Sequence, residues 1–450
     1  MVDKSGHESE SQTSQWERVT VRARRSPFFN SMAVLFSGSA ASAGIGFAAT
    51  PILARLYSPA EFGVLGVFVA ALTLFSVVAT LRYDRAIPSA VDDRDAGLAL
   101  LTALSAVVCT SLLCCLLVLS GALESIISGA RGNQLLLAWA LPVGMAATGT
   151  YDALSFWMVR RRDYRALSLT KASQGASMVG AQVGLGLVHV GAAGLVVGQI
   201  AGSSMGILRL GKKALELDRH ALTMITVAEL RATAIRYRRF PLLSSPAVLL
   251  DALTGALPTL FIAHRFGAVP AGVLTIVTRV VQAPLSLLST NMSQIFFGEL
   301  AALKRAQSDT MLDLFVRRFR QIIPMGMALV GGMLLVVPHV LPVLLGAKWG
   351  EATTYFLILS PAIFAGFISS PFGVGIDVLR RQDLHFLRDA VRAGILIAAV
   401  TFASWYDLSA RDSIKAISAA GCLNGIVYLV VCWYGFADDP LRARAGDALV

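Results

Sequence analysis

The chain has 450 residues, 55% of them apolar and only 15% charged, and its mean hydropathy is +0.66. A soluble domain carries about 25% charged residues, so this composition excludes an ordinary globular protein and indicates an all-α, polytopic membrane protein. The formal charge of +11 would suit nucleic acid, but aromatic residues are not interleaved with the basic clusters as a single-strand-binding surface requires. In a membrane protein such an excess marks the loops held inside.

Residues 1–26 form a polar tail ending in Arg18, Arg22, Arg24 and Arg25. The first apolar run, 31–54, is too long for a signal peptide and has no small-residue cleavage site after it. It is expected to stay as a first span, with the tail cytoplasmic. Further spans are predicted at 64–81, 96–120, 135–158, 166–188 and 192–209, then at 242–264, 271–297, 322–345, 354–378, 390–408 and 413–436. Each approaches the ~20 residues that cross ~30 Å of hydrocarbon.

These boundaries can be tested by charge. With both termini inside, the outer loops hold only Arg55, Arg131, Arg265, Lys348, Arg411 and Lys415 of the 39 Lys and Arg. Arg279 lies near the middle of a span, and all the rest lie in the cytoplasmic segments or at the cytoplasmic ends of their spans, which is the bias that sets orientation. The expected organisation is a tail (1–26), a six-helix lobe (27–211), a basic cytoplasmic linker (212–240), a second six-helix lobe (241–436) and a tail (437–450). The stretch 209–240 reads as an amphipathic helix on the anionic leaflet. An even span count per half makes any internal repeat parallel, and Gly63-Val64-Leu65 after Pro51 resembles Gly272-Val273-Leu274 after Pro258.

Gly194, Gly198, Gly202 and Gly206 recur at strict i, i+4 spacing, and Gly38, Ser42, Gly46 and the pair Gly180, Gly184 do the same. Small residues at that interval let helix backbones approach closely in lipid. The five cysteines, Cys109, Cys114, Cys115, Cys422 and Cys432, sit in apolar runs and read as hydrophobes. The six histidines have no metal-ligand spacing, so neither a metal site nor a cofactor is expected.

Charges at membrane depth are the candidate functional groups. Arg279 lies near the middle of its span, on a narrow face with Thr275, Gln282, Ser286, Ser289 and Ser293. A cation there costs roughly 2.5–3.5 kcal/mol on insertion scales, so it faces a bundle interior or a wet cavity. Asp251 falls at similar depth on the preceding span, and the two either neutralise each other or both face a cavity. Asp152 and Lys171 lie toward the cytoplasmic side, and Arg82, Tyr83, Asp84 and Arg85 end the second span.

Four stretches carry a family resemblance. ARLYSPAEFG (54–63), LRYDRAIPSA (81–90), FWMVRRRDYR (156–165) and RYRRFPLLSSPAVLLDALTGALP (236–258) resemble the bacterial polysaccharide biosynthesis flippases, the Wzx-type members of the multidrug/oligosaccharidyl-lipid/polysaccharide exporter superfamily. The resemblance implies two six-helix lobes around a central cavity in the bacterial inner membrane. It also implies translocation of oligosaccharide units linked to undecaprenyl pyrophosphate, for O-antigen, capsule or exopolysaccharide, by alternating access. Arg279, then Arg82, Arg85, Lys171 and Gln282, become the candidate substrate-binding residues. Asp152 and Asp251 become candidates for coupling to H+ or Na+ or for charge pairing. A polymerase and a chain-length regulator are the partners implied.

No covalent chemistry is required, so no enzyme is expected. The rivals are a cation-coupled drug exporter, a peptidoglycan-precursor flippase, which usually has two further spans, and a polysaccharide polymerase or ligase, which needs a large outer loop. The longest outer loop here, 121–134, offers only Glu124 and Arg131.

Overall fold

The computed structural model describes residues 27–123, 129, 132–222, 225–305, 310–379 and 381–438. The amino-terminal tail, residues 439–450, Glu124 and Arg131 lie outside them. The described residues form helices, turns and connecting loops, with no strand. In the first half these are α1 (Pro27–Leu56), α2 (Pro59–Ala79), α3 (Asp93–Leu119), α4 (Gln134–Arg160), α5 (Tyr164–Leu187), α6 (Ala192–Ser204) and α7 (Ile207–Leu222). A short helix, α8 (Val227–Arg236), leads to α9 (Ser245–Phe266), α10 (Ala268–Arg305), α11 (Met311–Leu345), α12 (Glu351–Ser369), α13 (Gly373–Leu379), α14 (Gln382–Trp405) and α15 (Ala410–Ala437).

Helices lie over all twelve predicted spans among the described residues, with 192–209 divided between α6 and α7 and 354–378 between α12 and α13. Seven segments are long and apolar enough to cross a membrane, and α10 becomes an eighth when followed through a 44° bend between Gln282 and Pro284. The bend follows from proline, which removes a backbone donor and crowds the preceding turn. The remaining four, α1, α4, α5 and α14, are as long, but Gly, Ser, Gln and charged residues dilute their apolar content.

Close packing uses most of the expected glycines. A Cβ at Gly38 would lie 2.1 Å from the Ser168 carbonyl oxygen, and one at Gly175 would lie 2.5 Å from Ser42 Oγ, so α1 and α5 touch backbone to backbone. Gly194, Gly198 and Gly202 pack on Tyr57, Gln182 and Met178. Gly206 instead adopts φ +101° between α6 and α7, a conformation that favours glycine. Gly180 and Gly184 have nothing within 4 Å, which corrects the expectation of a packing face there. Cys109, expected to be buried, is exposed.

The two halves meet where α2 lies against α9 and α10. A Cβ at Gly63 would fall 1.8 Å from the Ala268 carbonyl oxygen, and one at Gly272 1.7 Å from that of Pro59. Each glycine thus meets the residue four positions before the other, a reciprocal contact between the two Gly-Val-Leu triplets. The same end is pinned by Trp349, whose Nε1 donates to the Ala54 carbonyl (3.0 Å) while its ring stands edge-on to Phe62 at 5.3 Å. Lys348 Nζ donates to the Arg55 carbonyl at 2.9 Å.

At the opposite end a second apolar cluster gathers Tyr83, Ile87, Leu100, Trp157 and Leu210. Here α8 docks on the start of α3. Arg236 and Tyr237 donate to Asp95 (2.8 and 2.7 Å), Arg94 bonds Glu229 (2.8 Å), and Tyr83 OH donates to the Ala234 carbonyl. The expected single interfacial helix over 209–240 is therefore two helices, the second strapped to protein by ion pairs that a hydropathy profile does not register.

Candidate functional site

A cavity of about 580 Å³ opens within the first half, between the lower parts of α2, α4, α5 and α6. Its cationic wall is built by an abrupt turn. After α2, Leu81 (φ 49°) and Arg82 (φ 63°) both take left-handed backbone conformations, which cost non-glycine residues about 1 kcal/mol or more each. Thr80 holds the turn: its hydroxyl donates to Asp84 (2.6 Å) and accepts the Arg82 amide (3.2 Å). The following 3-10 turn, Tyr83–Ser89, sets Arg82, Asp84 and Arg85 along the cavity.

Two of the three cations lie over aromatic rings. The Arg85 guanidinium lies 4.4 Å from the Phe156 ring centroid and 3.6 Å from Asp84, and Lys171 Nζ lies 4.9 Å from the Tyr151 ring centroid. Ring faces attract a cation without occupying its N–H donors, so those donors stay available to a guest. Asp152 sits in the same cavity, within the field of Lys171, Arg85, Arg82 and Asp84.

Four buried polar atoms of this wall have no hydrogen-bond partner: Ser76 Oγ, Arg82 Nε, Thr148 Oγ1 and Ser155 Oγ. Leaving a buried polar group unsatisfied costs about 1–3 kcal/mol. Ser76, Arg82, Thr148 and Ser155 all line the cavity, so its wall is polar well beyond its formal charges. They were readable in the sequence as helical stripes, Thr73-Ser76-Thr80 on α2 and Thr148-Asp152-Ser155 on α4. Of the four, only Arg82 carries a formal charge, and hydroxyls within an apolar span are a weaker signal than a charge.

A second cavity, about 590 Å³, lies in the other half between α10 and α12. Gln282, Ser286, Ser289 and Ser293 line it opposite Leu359, Ile363 and Phe367. Gln282 therefore belongs to a different cavity from Arg82, Arg85 and Lys171. The Thr278 hydroxyl, on the same wall, donates back to the Leu274 and Thr275 carbonyls, and that of Ser293 donates to Ser289.

The remaining candidates separate. Thr275 packs beneath Gly66 of α2, and Arg279 points at Gly46 of α1, where a Cβ would lie 3.8 Å from its Nη2. That Nη2 is buried without a hydrogen-bond partner. Asp251 does not pair with Arg279: its carboxylate binds Arg392 of α14 at 2.6 Å. Equal depth on neighbouring helices did not fix the direction each side chain takes, and Arg392, distant in sequence, supplied the partner.

The four stretches singled out in the sequence build this framework. Tyr57 OH donates to the Gln182 carbonyl, and Ser58 and Glu61 form a capping box at the start of α2. Arg160 and Arg161 both bind Asp93, and Asp163 caps α5 and pairs with Lys213.

The family model described as "Polysaccharide biosynthesis protein" matches residues 52–354. No curated protein matches the sequence. Among solved structures the chain is similar to "Lipid II flippase MurJ, inward closed conformation", with TM-score 0.68 and 13% identity, covering 88% of this chain and 87% of that one. It is similar also to an inward-facing multidrug resistance MATE family transporter of the MOP superfamily (TM-score 0.56, 13% identity, 90% and 94% covered). A MATE structure in the bent conformation gives TM-score 0.55 at 13% identity, with 92% and 95% covered. At such identities the likeness is one of fold.

Proposed function

Because the chain belongs to the polysaccharide biosynthesis protein family, we propose that it is a Wzx-type flippase moving oligosaccharides linked to undecaprenyl pyrophosphate across the bacterial inner membrane. The two lobes are 27–211 and 241–436, joined by 212–240, and both termini are cytoplasmic. A pyrophosphate bearing sugars does not cross hydrocarbon unaided, because unpaired charge buried there costs many kcal/mol. The first-half cavity offers what the hydrocarbon lacks: Arg82, Arg85 and Lys171 for phosphate oxygens, and polar residues such as Thr73, Gln199 and Ser203 along its wall for the first sugars. That cavity is the observation carrying the reading. Its place at the end opposite the Gly63–Gly272 seam suits loading from the cytoplasm.

Asp152, a carboxylate among these cations, is the candidate coupling residue, exchanging H+ or Na+ as the phosphate arrives and leaves. The test is transport in proteoliposomes containing the full-length protein. A fluorescent prenyl-pyrophosphate oligosaccharide is expected to change leaflet, while the same prenyl oligosaccharide without phosphate stays. Movement of a cationic drug in place of the pyrophosphate lipid would instead assign the chain to the drug exporters.

A further inference from the structure

Arg279 and the cluster of Arg82, Arg85 and Lys171 do not share a cavity wall, and helix geometry gives their separation. Gly63 and Gly272 stand at one level, since each faces the residue four before the other. From that level α2 descends about 24 Å to Ala79, whereas α10 descends only about 10 Å to Arg279, at 1.5 Å per residue. Arg82, beyond the end of α2, is therefore about 14 Å deeper than Arg279.

A second ruler, α1, agrees. Gly38 faces Ser168, Ser42 faces Gly175, and Gly46 faces both Met178 and the Arg279 guanidinium. Lys171 lies between the first two levels, about 9 Å below Gly46 on the same rise per residue. A pyrophosphate, two phosphorus atoms sharing one oxygen, is shorter than either separation. Even with a hydrogen bond of about 3 Å at each end it does not bridge the ~14 Å from Arg82 to Arg279, and Arg279 lines neither cavity.

Resting on the flippase reading above, we propose that the pyrophosphate is bound at two stations in succession: a loading station of Arg82, Arg85 and Lys171, then a transfer station at Arg279 nearer the outer seam. Two features of Arg279 support a waiting site. Its Nη2 is buried and has no hydrogen-bond partner. The facing residue is Gly46, whose missing side chain leaves the guanidinium uncrowded. Rearrangement of the halves about the seam carries the anion from the first station to the second, so the lower cluster sets affinity and Arg279 sets passage.

The experiment separates binding from passage in the full-length protein. Binding is measured in nanodiscs with geranylgeranyl pyrophosphate and, separately, inorganic pyrophosphate. Passage is measured in proteoliposomes with a fluorescent prenyl-pyrophosphate oligosaccharide. Arg82→Gln and Lys171→Gln are each expected to weaken binding of both probes roughly tenfold, about what one charge-assisted hydrogen bond contributes. Arg279→Gln is expected to bind within about threefold of wild type while passage falls at least about thirtyfold, and Arg279→Lys to recover part of it.

Gly46→Asp, which gives Arg279 a permanent counter-ion, is expected to reproduce the Arg279→Gln phenotype with the arginine still present. Equal binding losses in the Arg279 and Lys171 variants would reduce the two stations to one, as would inorganic pyrophosphate binding that ignores Lys171. Wild-type passage by both Arg279→Gln and Gly46→Asp would remove the transfer station. If the wild-type protein moves no pyrophosphate lipid, the flippase reading itself falls. If it does, defects shared by all variants overturn only the two-station order.

Discussion

At the scale of single residues, the first-half cavity is distinguished by how its cations are held. Tyr151 and Phe156 present ring faces to Lys171 and Arg85, contacts worth about 0.5–2 kcal/mol. Tyr151→Leu should therefore weaken pyrophosphate-lipid binding by roughly three- to tenfold with little effect on protein yield, as titration in nanodiscs would measure. Asp152→Asn should act in the opposite direction. It removes a competing anion from the cluster, so affinity at pH 7 should rise severalfold while turnover falls, because release becomes slow. Equal affinity in the Asn variant would take Asp152 out of the charge balance. The cations of this site were legible as charges at unusual depth. Their grouping was not: Asp251 shared depth with Arg279 yet pairs with Arg392, and Gln282 shared a helix face with Arg279 yet lines the cavity of the other half.

Among the elements, the spans were the most readable, because long apolar runs allow few alternatives. Their ends were underestimated: α10 and α11 continue well past the apolar stretch through charged turns, where a helix needs only backbone bonds and side chains that reach water. Least readable was the strap α8, whose docking depends on paired charges. Arg94 and the Thr226 cap hold the Glu229 carboxyl down at about 2, against 4.5 ordinarily. A depressed carboxylate stabilises docking above its ordinary value and loses that contribution as pH falls through the depressed one. The mobility of a spin label at Val227, which is 82% exposed, should thus rise between about pH 4.5 and pH 2. In Glu229→Gln that rise should be absent. Since Tyr83 hangs from Ala234 in the same strap, Asp95→Ala should loosen α8 and broaden the Arg82 turn, read as faster exchange of the amides in 81–89.

For the whole molecule, the Gly63–Gly272 seam joins the halves at one end, while the first-half cavity is lined toward the far end of α2. Lys348 Nζ reaches the Arg55 carbonyl across the seam, so cysteines substituted there, in a chain cleared of its native thiols, should be joined by a reducible bis-methanethiosulfonate linker of about lysine length. Transport should stop while the bond lasts and return on reduction. Failure to cross-link in membranes would argue that this end is not shut at rest. The basic linker and the charge bias suggested a six-plus-six division, and the matched Gly-Val-Leu triplets suggested a repeat. The sequence could not disclose that the two triplets touch each other, because an internal likeness says nothing about mutual contact.

That contact has an ancestral reading. Residue i of one half meeting residue j of the other, and j meeting i, is the signature of a dimer built on a two-fold axis. At Gly63 and Gly272 the matching surfaces are bare backbone, so nothing in them distinguishes one half from the other. A gene for a single six-helix half would already encode a surface able to bind its own copy. Fusing two such genes would need only a connecting stretch like 212–240, after which each copy was free to specialise, one toward charge and the other toward oil.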